Sequence, residues 1–344
     1  MSKTKWKDYL LKSGLPLEYE VKKILDERKC QTRFEHSYLR PDENNVINEF
    51  SFDISSAYIH EYNISFFDMM IECKYRDEST NWLFIPSESS PIGNITSGSF
   101  VHINDHFTKY TKHPFGLNQV PTIALECSKG IEITNDGQNP KTITQAASQL
   151  SYAMAEAMTG GMYAQFSGEA GTTEQMFYHL PIIITTANLY RLKENVNIDT
   201  IKKSDTLEEI STKEDCLVLK HHIGKDLEKH SLNVFADFIK KYNHISLNKR
   251  LKSFNEDIEW VCQVLARHWC PEAVLIIHHS KESKAYDKLF DLMDEIAVPS
   301  EKTIPFIDGK KKQQKYLKQL ASWRKQQEHF KKPLPSKGDN SLPF

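Results

Sequence analysis

The chain has 344 residues, 39% apolar, 26% charged and 11% aromatic; this composition excludes collagen, low-complexity chains and small disulfide scaffolds and leaves ample material for a deep core. Its apolar runs, such as Ala273 to Ile277, fall far short of the ~20 residues of a membrane helix, and the first residues lack a secretory h-region, so a cytoplasmic protein with no membrane partner is expected. The net charge of −2 hides an asymmetry: residues 309–344 carry ten Lys/Arg against two Asp/Glu, or +8, leaving −10 for the remainder, a mildly acidic body with a basic tail that would attract a polyanion.

Residues 15–29 space Leu17, Val21, Ile24 and Leu25 as one face of a helix, with Pro16 tolerated in its first turn. Residues 49–59 and 64–75, rich in aromatic and β-branched side chains, flank a short polar turn and predict a hairpin. The Ser, Asn, Gly and Pro content after Asn81 suggests an insertion near 80–115. A strand is expected at 122–126, resuming at 130–134, and a helix at 142–158 on Ile143, Ala146, Ala147, Leu150, Ala153, Met154 and Ala157. The glycines of 160–173 suggest a loop, the apolar run 181–187 a strand covered on both faces, and the charged residues 200–215 a surface connection. Helices are expected at 227–242, 254–267 and 282–296, with a strand at 273–278. Strands interleaved with helices predict an α/β fold, a central mixed β-sheet flanked by helices, over residues 1–300, with a basic C-terminal helical appendage over 301–344.

The six cysteines form no C-x-x-C pair and read as buried thiols of a reducing compartment. Cys262, His268 and Cys270 come nearest to a zinc cluster, but apolar neighbours such as Val261, Leu265 and Trp269 make them part of a packed helix. His221-His222 and His278-His279 read as structural pairs at strand ends. No G-x-x-x-x-G-K-[ST], G-x-G-x-x-G, H-E-x-x-H or G-x-S-x-G motif occurs, so ATP hydrolysis, zinc proteolysis and serine hydrolysis lack support.

Chemistry concentrates in the hairpin. Alternation puts Asp68, Met70, Glu72 and Lys74 on one strand face and Phe67, Met69, Ile71, Cys73 and Tyr75 on the other, which is the expected core. Glu72 and Lys74 are about 7 Å apart along the strand, and antiparallel pairing brings Asp53 opposite residues 70–72. Two carboxylates and a lysine therefore converge, and the carboxylates are hard oxygen ligands suited to Mg²⁺. Asp68, about 13 Å from Glu72 along the strand, reads as a solvent charge. Glu126 and Lys129 imitate the acidic and basic pair, but their spacing puts them on opposite faces unless a bulge intervenes.

A helix carrying Glu18, a strand ending in Asp53 and a strand carrying Glu72-Cys73-Lys74 together resemble the PD-(D/E)xK, or restriction-endonuclease-like, nucleases. The likeness covers residues 14–76; Phe52 stands where the name-giving proline would be. It implies that Asp53, Glu72 and the Cys73 carbonyl bind Mg²⁺ or Mn²⁺, that Lys74 acts on the attacking water, and that Glu18, or Glu20 as its competitor, assists from the helix. Some relatives carry a helical glutamine, here Gln149 or, less well placed, Gln145. The resemblance implies metal-dependent hydrolysis of DNA rather than RNA, an endonuclease in prokaryotic anti-phage or restriction-type defence, and an enzyme that works as a homodimer. The alternative is a non-catalytic nucleic-acid-binding or assembly subunit serving a partner ATPase, helicase or guide-bearing protein.

In the tail, Lys310, Lys311, Lys312, Lys315, Arg324 and Lys325 interleave with Tyr316, Trp323 and other apolar residues. This pattern suits phosphate contacts and base stacking, or an amphipathic segment docked on the body. For a mostly acidic body to grip DNA, positive charge would have to gather around Lys74, Arg76 and Lys109 on one side.

Overall fold

The computed structural model describes residues 5–41, 46–60, 65–87, 100–104, 123–167, 176–221, 224–242, 266, 273–280 and 282–297. In chain order the elements are α1 (Lys5–Lys12), α2 (Leu15–Glu27), β1 (Gln31–Pro41), β2 (Ile47–His60), β3 (Ser65–Lys74), β4 (Asn81–Pro86), β5 (His102–Asn104), β6 (Leu125–Thr134), β7 (Gly137–Asn139) and α3 (Thr142–Ser167). There follow β8 (Met176–Thr185), β9 (Asn188–Leu192), α4 (Ile198–Lys203), α5 (Leu207–Ile210), β10 (Ser211–Glu214), β11 (Cys216–Lys220), α6 (Lys225–Tyr242), β12 (Ala273–His278) and α7 (Ala285–Ala297).

The strands form one mixed sheet in the order β1-β2-β3-β8-β12-β11-β6-β4-β9-β10, with β5 against β8 and β7 against β6. This is the expected mixed sheet flanked by helices. Two segments pair twice. β3 and β8 run parallel from Ser65↔Met176 to Lys74↔Thr185, and the same two stretches of chain, after short connections, pair in parallel again as β4 and β9. These second partners lie far along the strand order from the first, so the sheet must curl for the connections to reach.

Two clusters fill the two faces. On one, Leu17, Val21 and Leu25 of α2 and Leu289, Phe290 and Met293 of α7 cover Phe67, Met69, Ile71 and Cys73 of β3; Tyr58 Oη donates to Asp294 Oδ1 at 2.7 Å, and Arg28 pairs with Asp287. On the other, Ala146, Leu150, Met154 and Met158 of α3 cover Met70, Phe84, Ile183 and Ile276, joined by Phe235 and Phe238 of α6. The second face of β3 is therefore not a solvated one. Met70 and Glu72 are as deeply buried as the residues between them, because β3 is an interior strand with helices on both sides.

Several expected boundaries change. Asn81–Pro86 is no insertion: it is a sheet strand whose Trp82 and Phe84 are fully buried. Residues 125–134 form one strand, with an irregularity opposite Ile85 and Pro86. The glycines at 160 and 161 lie inside a helix that continues to Ser167; at Gly161 a Cβ would meet Asn104 Nδ2 at 2.8 Å and His179 Nε2 at 3.3 Å, so the missing side chain permits close approach to the sheet. Residues 200–215 hold α4, α5 and β10 rather than a featureless connection. β1 was not expected, since Tyr38 alone among its described side chains is buried and apolar periodicity has little to report.

Cys30, Cys73, Cys127 and Cys216 are buried thiols. Among the described residues no helix is long and apolar enough to cross a membrane. The helix expected at 254–267, apart from Ala266, the Cys262–His268–Cys270 group, Lys109 and the entire 301–344 tail with Lys310, Lys311, Lys312, Lys315, Arg324 and Lys325 lie outside the described residues.

Candidate active site

The site lies where a strand changes allegiance. β2 pairs with β3 from His60↔Ser65 to Ile54↔Ile71, and there the ladder stops. Phe52 joins the α3-side core and Ile54 the α2-side core although they are two residues apart, so β2 reverses the face it presents at Asp53. Its other partner shows the same break: Phe34 pairs with Ile54 and His36 with Phe52, while Glu35 between them has φ +51°, a left-handed conformation costly for a side-chain-bearing residue. Beyond the fork the β1–β2 arm leans on α3, where Tyr38 Oη donates to the Gln149 carbonyl at 3.0 Å and Gln149 Nε2 to the Ser51 carbonyl at 3.4 Å.

The fork opens a cleft of about 360 Å³. Its walls are the α1–α2 turn (Lys12 to Gly14), Glu18, Asp53, the end of β3 and its continuation from Cys73 to Arg76, and Thr142, Gln145 and Gln149 of α3. Thus Glu18, Asp53, Lys74, the Cys73 backbone and both glutamines share one cavity. Gly14 opens α2 at φ +82° and its absent Cβ leaves room for Glu18 Oε1, which would lie 3.2 Å away. Asp53 Oδ2 accepts the Cys73 N–H at 2.6 Å, placing the carboxylate across the strand gap from the Glu72–Lys74 segment. The Cys73 thiol points into the α2-side core, so only its main chain is available to the site.

Glu72 is 1% exposed. Its Oε1 pairs with Lys74 Nζ, and its Oε2 is buried without a hydrogen-bond partner among the described residues. Burial pushes its pKa up to about 7, with Asp53 adding to the rise and Lys74 opposing it. Burial also raises Asp53, against the Cys73 N–H and Lys74. Glu18 is raised by burial first, then by Asp53 and Glu35, with Lys74 again opposing. Three carboxylates thus share an electrostatic neighbourhood in which each resists ionisation, a pattern typical of functional sites.

Other expectations resolve individually. Glu20, on the same helix as Glu18, turns away: its Oε2 lies 3.0 Å from His279 Nε2, and His279 Nδ1 lies 2.9 Å from Tyr286 Oη. Glu18 is therefore the helical glutamate of the cleft. Asp68 is not a lone solvent charge, since its Oδ2 lies 3.2 Å from Nδ1 of buried His179, its register partner on β8. Glu126 pairs with Lys220 at 2.6 Å, away from Lys129. His278 Nδ1 contacts the Ala187 carbonyl at 2.8 Å and His221 Nε2 the Ser151 hydroxyl at 3.1 Å. Glu35 went unread in the sequence; its closeness to Asp53 and Glu18 arises from strand register that no local pattern announces.

Among the described residues no three His, Cys, Asp or Glu side chains are gathered into a complete metal-binding group. Asp53 and Cys73 line the cleft and Glu72 lies buried next to Cys73 on the same strand; carboxylates and a main-chain carbonyl are donor types that suit Mg²⁺, which is held by one or two carboxylates and keeps water or phosphate for its other positions. The partnerless Glu72 Oε2 and the raised carboxylate pKa values suit a divalent cation, which would relieve both. No protein-family model matches this chain, and neither a curated protein nor a solved structure shows detectable similarity to it.

Proposed function

We propose that this chain is a metal-dependent nuclease that hydrolyses phosphodiester bonds, with DNA as its substrate. The observation that carries the reading is that Glu18, Asp53 and Lys74 line one open cleft, with Glu72 buried behind Lys74, paired to it through Oε1 and with Oε2 left unpartnered among the described residues. Asp53, Glu72 and the Cys73 carbonyl would hold Mg²⁺ or Mn²⁺. When bound, such an ion polarises the phosphoryl group and acidifies a water.

The chain's own residues supply the remainder. Lys74, held by its ion pair with Glu72, orients the attacking water and neutralises charge developing on the phosphoryl oxygens. Glu18 accepts a hydrogen bond from that water, aligning its lone pair with phosphorus. As the water oxygen bonds to phosphorus, the bond to the leaving sugar oxygen breaks; the water's proton passes by way of the Glu18 carboxylate to solvent, and a solvent water protonates the departing sugar oxygen. Lys12, Lys74 and Arg76 on the cleft walls offset the acidic body for a polyanion. The defence role and the homodimer rest on the family resemblance.

Cleavage of plasmid DNA in Mg²⁺ tests the reading. The parent chain cuts, and Asp53→Ala and Lys74→Ala retain binding without cutting. Failure of the intact protein to cut any DNA or RNA, alone or with a partner ATPase, would instead favour the non-catalytic subunit.

A further inference from the structure

Glu132, on β6, is a buried carboxylate that does not itself line the cleft. Three elements grip it: Arg76 Nε at 2.6 Å and Trp82 Nε1 at 2.9 Å both donate to Oε2, and Thr142 Oγ1 donates to Oε1 at 3.2 Å. Arg76 is held from its other side as well. Its backbone N–H donates to Thr186 Oγ1 at 2.6 Å, its carbonyl accepts from the same hydroxyl at 2.6 Å, and Nη1 donates to the Tyr75 carbonyl at 2.7 Å. Nη2 makes no hydrogen bond among the described residues, so most of the five guanidinium donors remain for a ligand. The side chain is 27% exposed and lines the cleft two residues beyond Lys74.

We propose that Arg76 is a phosphate-gripping residue of this cleft and that Glu132 is the buried residue that positions it. The inference rests on the nuclease reading and adds to it a binding site for a phosphodiester group beside the one cleaved. A counter-ion for Glu132 alone needs only a point charge. A guanidinium fixed on its Nε edge, on a side chain that lines the cleft and is part exposed, has donors left to match the paired non-bridging oxygens of a phosphodiester. Glu132 fixes the plane of that fork before substrate arrives, so little side-chain freedom is lost on binding.

The test measures binding of a fluorescent DNA duplex across a salt series in Ca²⁺, which takes the same oxygen ligands as Mg²⁺, and cleavage kinetics in Mg²⁺. The double variant R76A/E132Q removes the cation and its buried counter-charge together. Its plot of log K against log salt is expected to be shallower than the parent's by about 0.9, one phosphate contact, and its KM to rise about tenfold with kcat within about twofold. R76K keeps the charge and loses the fork, so it keeps the parent's salt slope while KM rises. A folded double variant with the parent's slope and KM overturns the inference and leaves the nuclease reading standing. Should the double variant not fold, R76K with unchanged KM overturns it equally. A parent chain that neither binds nor cuts nucleic acid overturns both.

Discussion

Asp53 and Cys73 are joined by a 2.6 Å hydrogen bond from the Cys73 N–H to Asp53 Oδ2, where the β2–β3 ladder has just ended at Ile54↔Ile71. The side chain replaces the main-chain partner that Cys73 would have had if the ladder continued, so one carboxylate both closes the sheet and faces the cleft. Asp53→Asn preserves the size and keeps an oxygen that can accept this bond, while removing the charge. Cleavage is therefore expected to fall by about 100-fold or more, the scale of removing one group that stabilises transition-state charge, with the urea midpoint little changed. Asp53→Ala should lose the same activity and also some stability, because the Cys73 N–H is left without its partner.

Glu18 and Glu20 sit two residues apart and face different neighbours. Glu18 lines the cleft and is coupled electrostatically to Asp53; Glu20 reaches His279. Glu18→Gln is expected to lower cleavage by about 10- to 100-fold, as loss of a group that orients a metal site does. Glu20→Gln should leave cleavage within about twofold and change stability by less than about 1 kcal/mol, since the carboxylate is exposed. Equal losses from both substitutions would remove Glu18 from the site.

Gly130 is the register partner of fully buried Phe84, and a Cβ at this position would overlap the Phe84 ring and lie 3.0 Å from Ile143 Cδ1. The ring cannot swing clear, because the α3-side core surrounds it. Gly130→Ala is expected to destabilise by about 1–3 kcal/mol through overpacking, read from urea denaturation. Phe84→Leu added to Gly130→Ala should recover part of that loss, which independent sites would not do.

The hairpin and its acidic pattern were legible because their signals are local: alternation, β-branched content and turn residues all fall within residues 49–75. Register followed from the turn and placed Asp53 opposite Glu72 within a residue or two. What escaped depends on distant chain. Met70 and Glu72 look solvent-facing by alternation and are buried only because α3, about 80 residues later in the sequence, covers that face. Gly160 and Gly161 read as loop residues because glycine is a poor helix former, and the close neighbour that favours a glycine, Asn104, lies beside Gly161 alone. Glu132 and Arg76 are 56 residues apart and share no pattern, so their ion pair appears only once β4 and β6 are side by side. Choosing between Glu18 and Glu20 required knowing where His279 lies.

On the nuclease reading proposed above, the buried Glu72 couples protons to metal. Its folded pKa is pushed up to about 7 while an unfolded glutamate titrates near 4.5, so between these values the folded chain holds a proton that the unfolded chain has released. Without metal, stability is then greatest below about pH 4.5 for this group and declines as pH rises through about 7; Asp53 and Glu18, also raised, act with the same sign. Mg²⁺ requires the ionised carboxylate, so its binding expels that proton, and apparent affinity is expected to rise about tenfold per pH unit up to about pH 7 and then level off. Calorimetric titration of the protein with Mg²⁺ in buffers of different ionisation enthalpy checks both the slope and the released proton. Glu72→Gln should lose Mg²⁺ binding and, in EDTA, be more stable than the parent at pH 8, because a neutral amide does not carry the burial penalty of a carboxylate. Metal affinity that is flat from pH 5.5 to 7.5 would place the cation elsewhere.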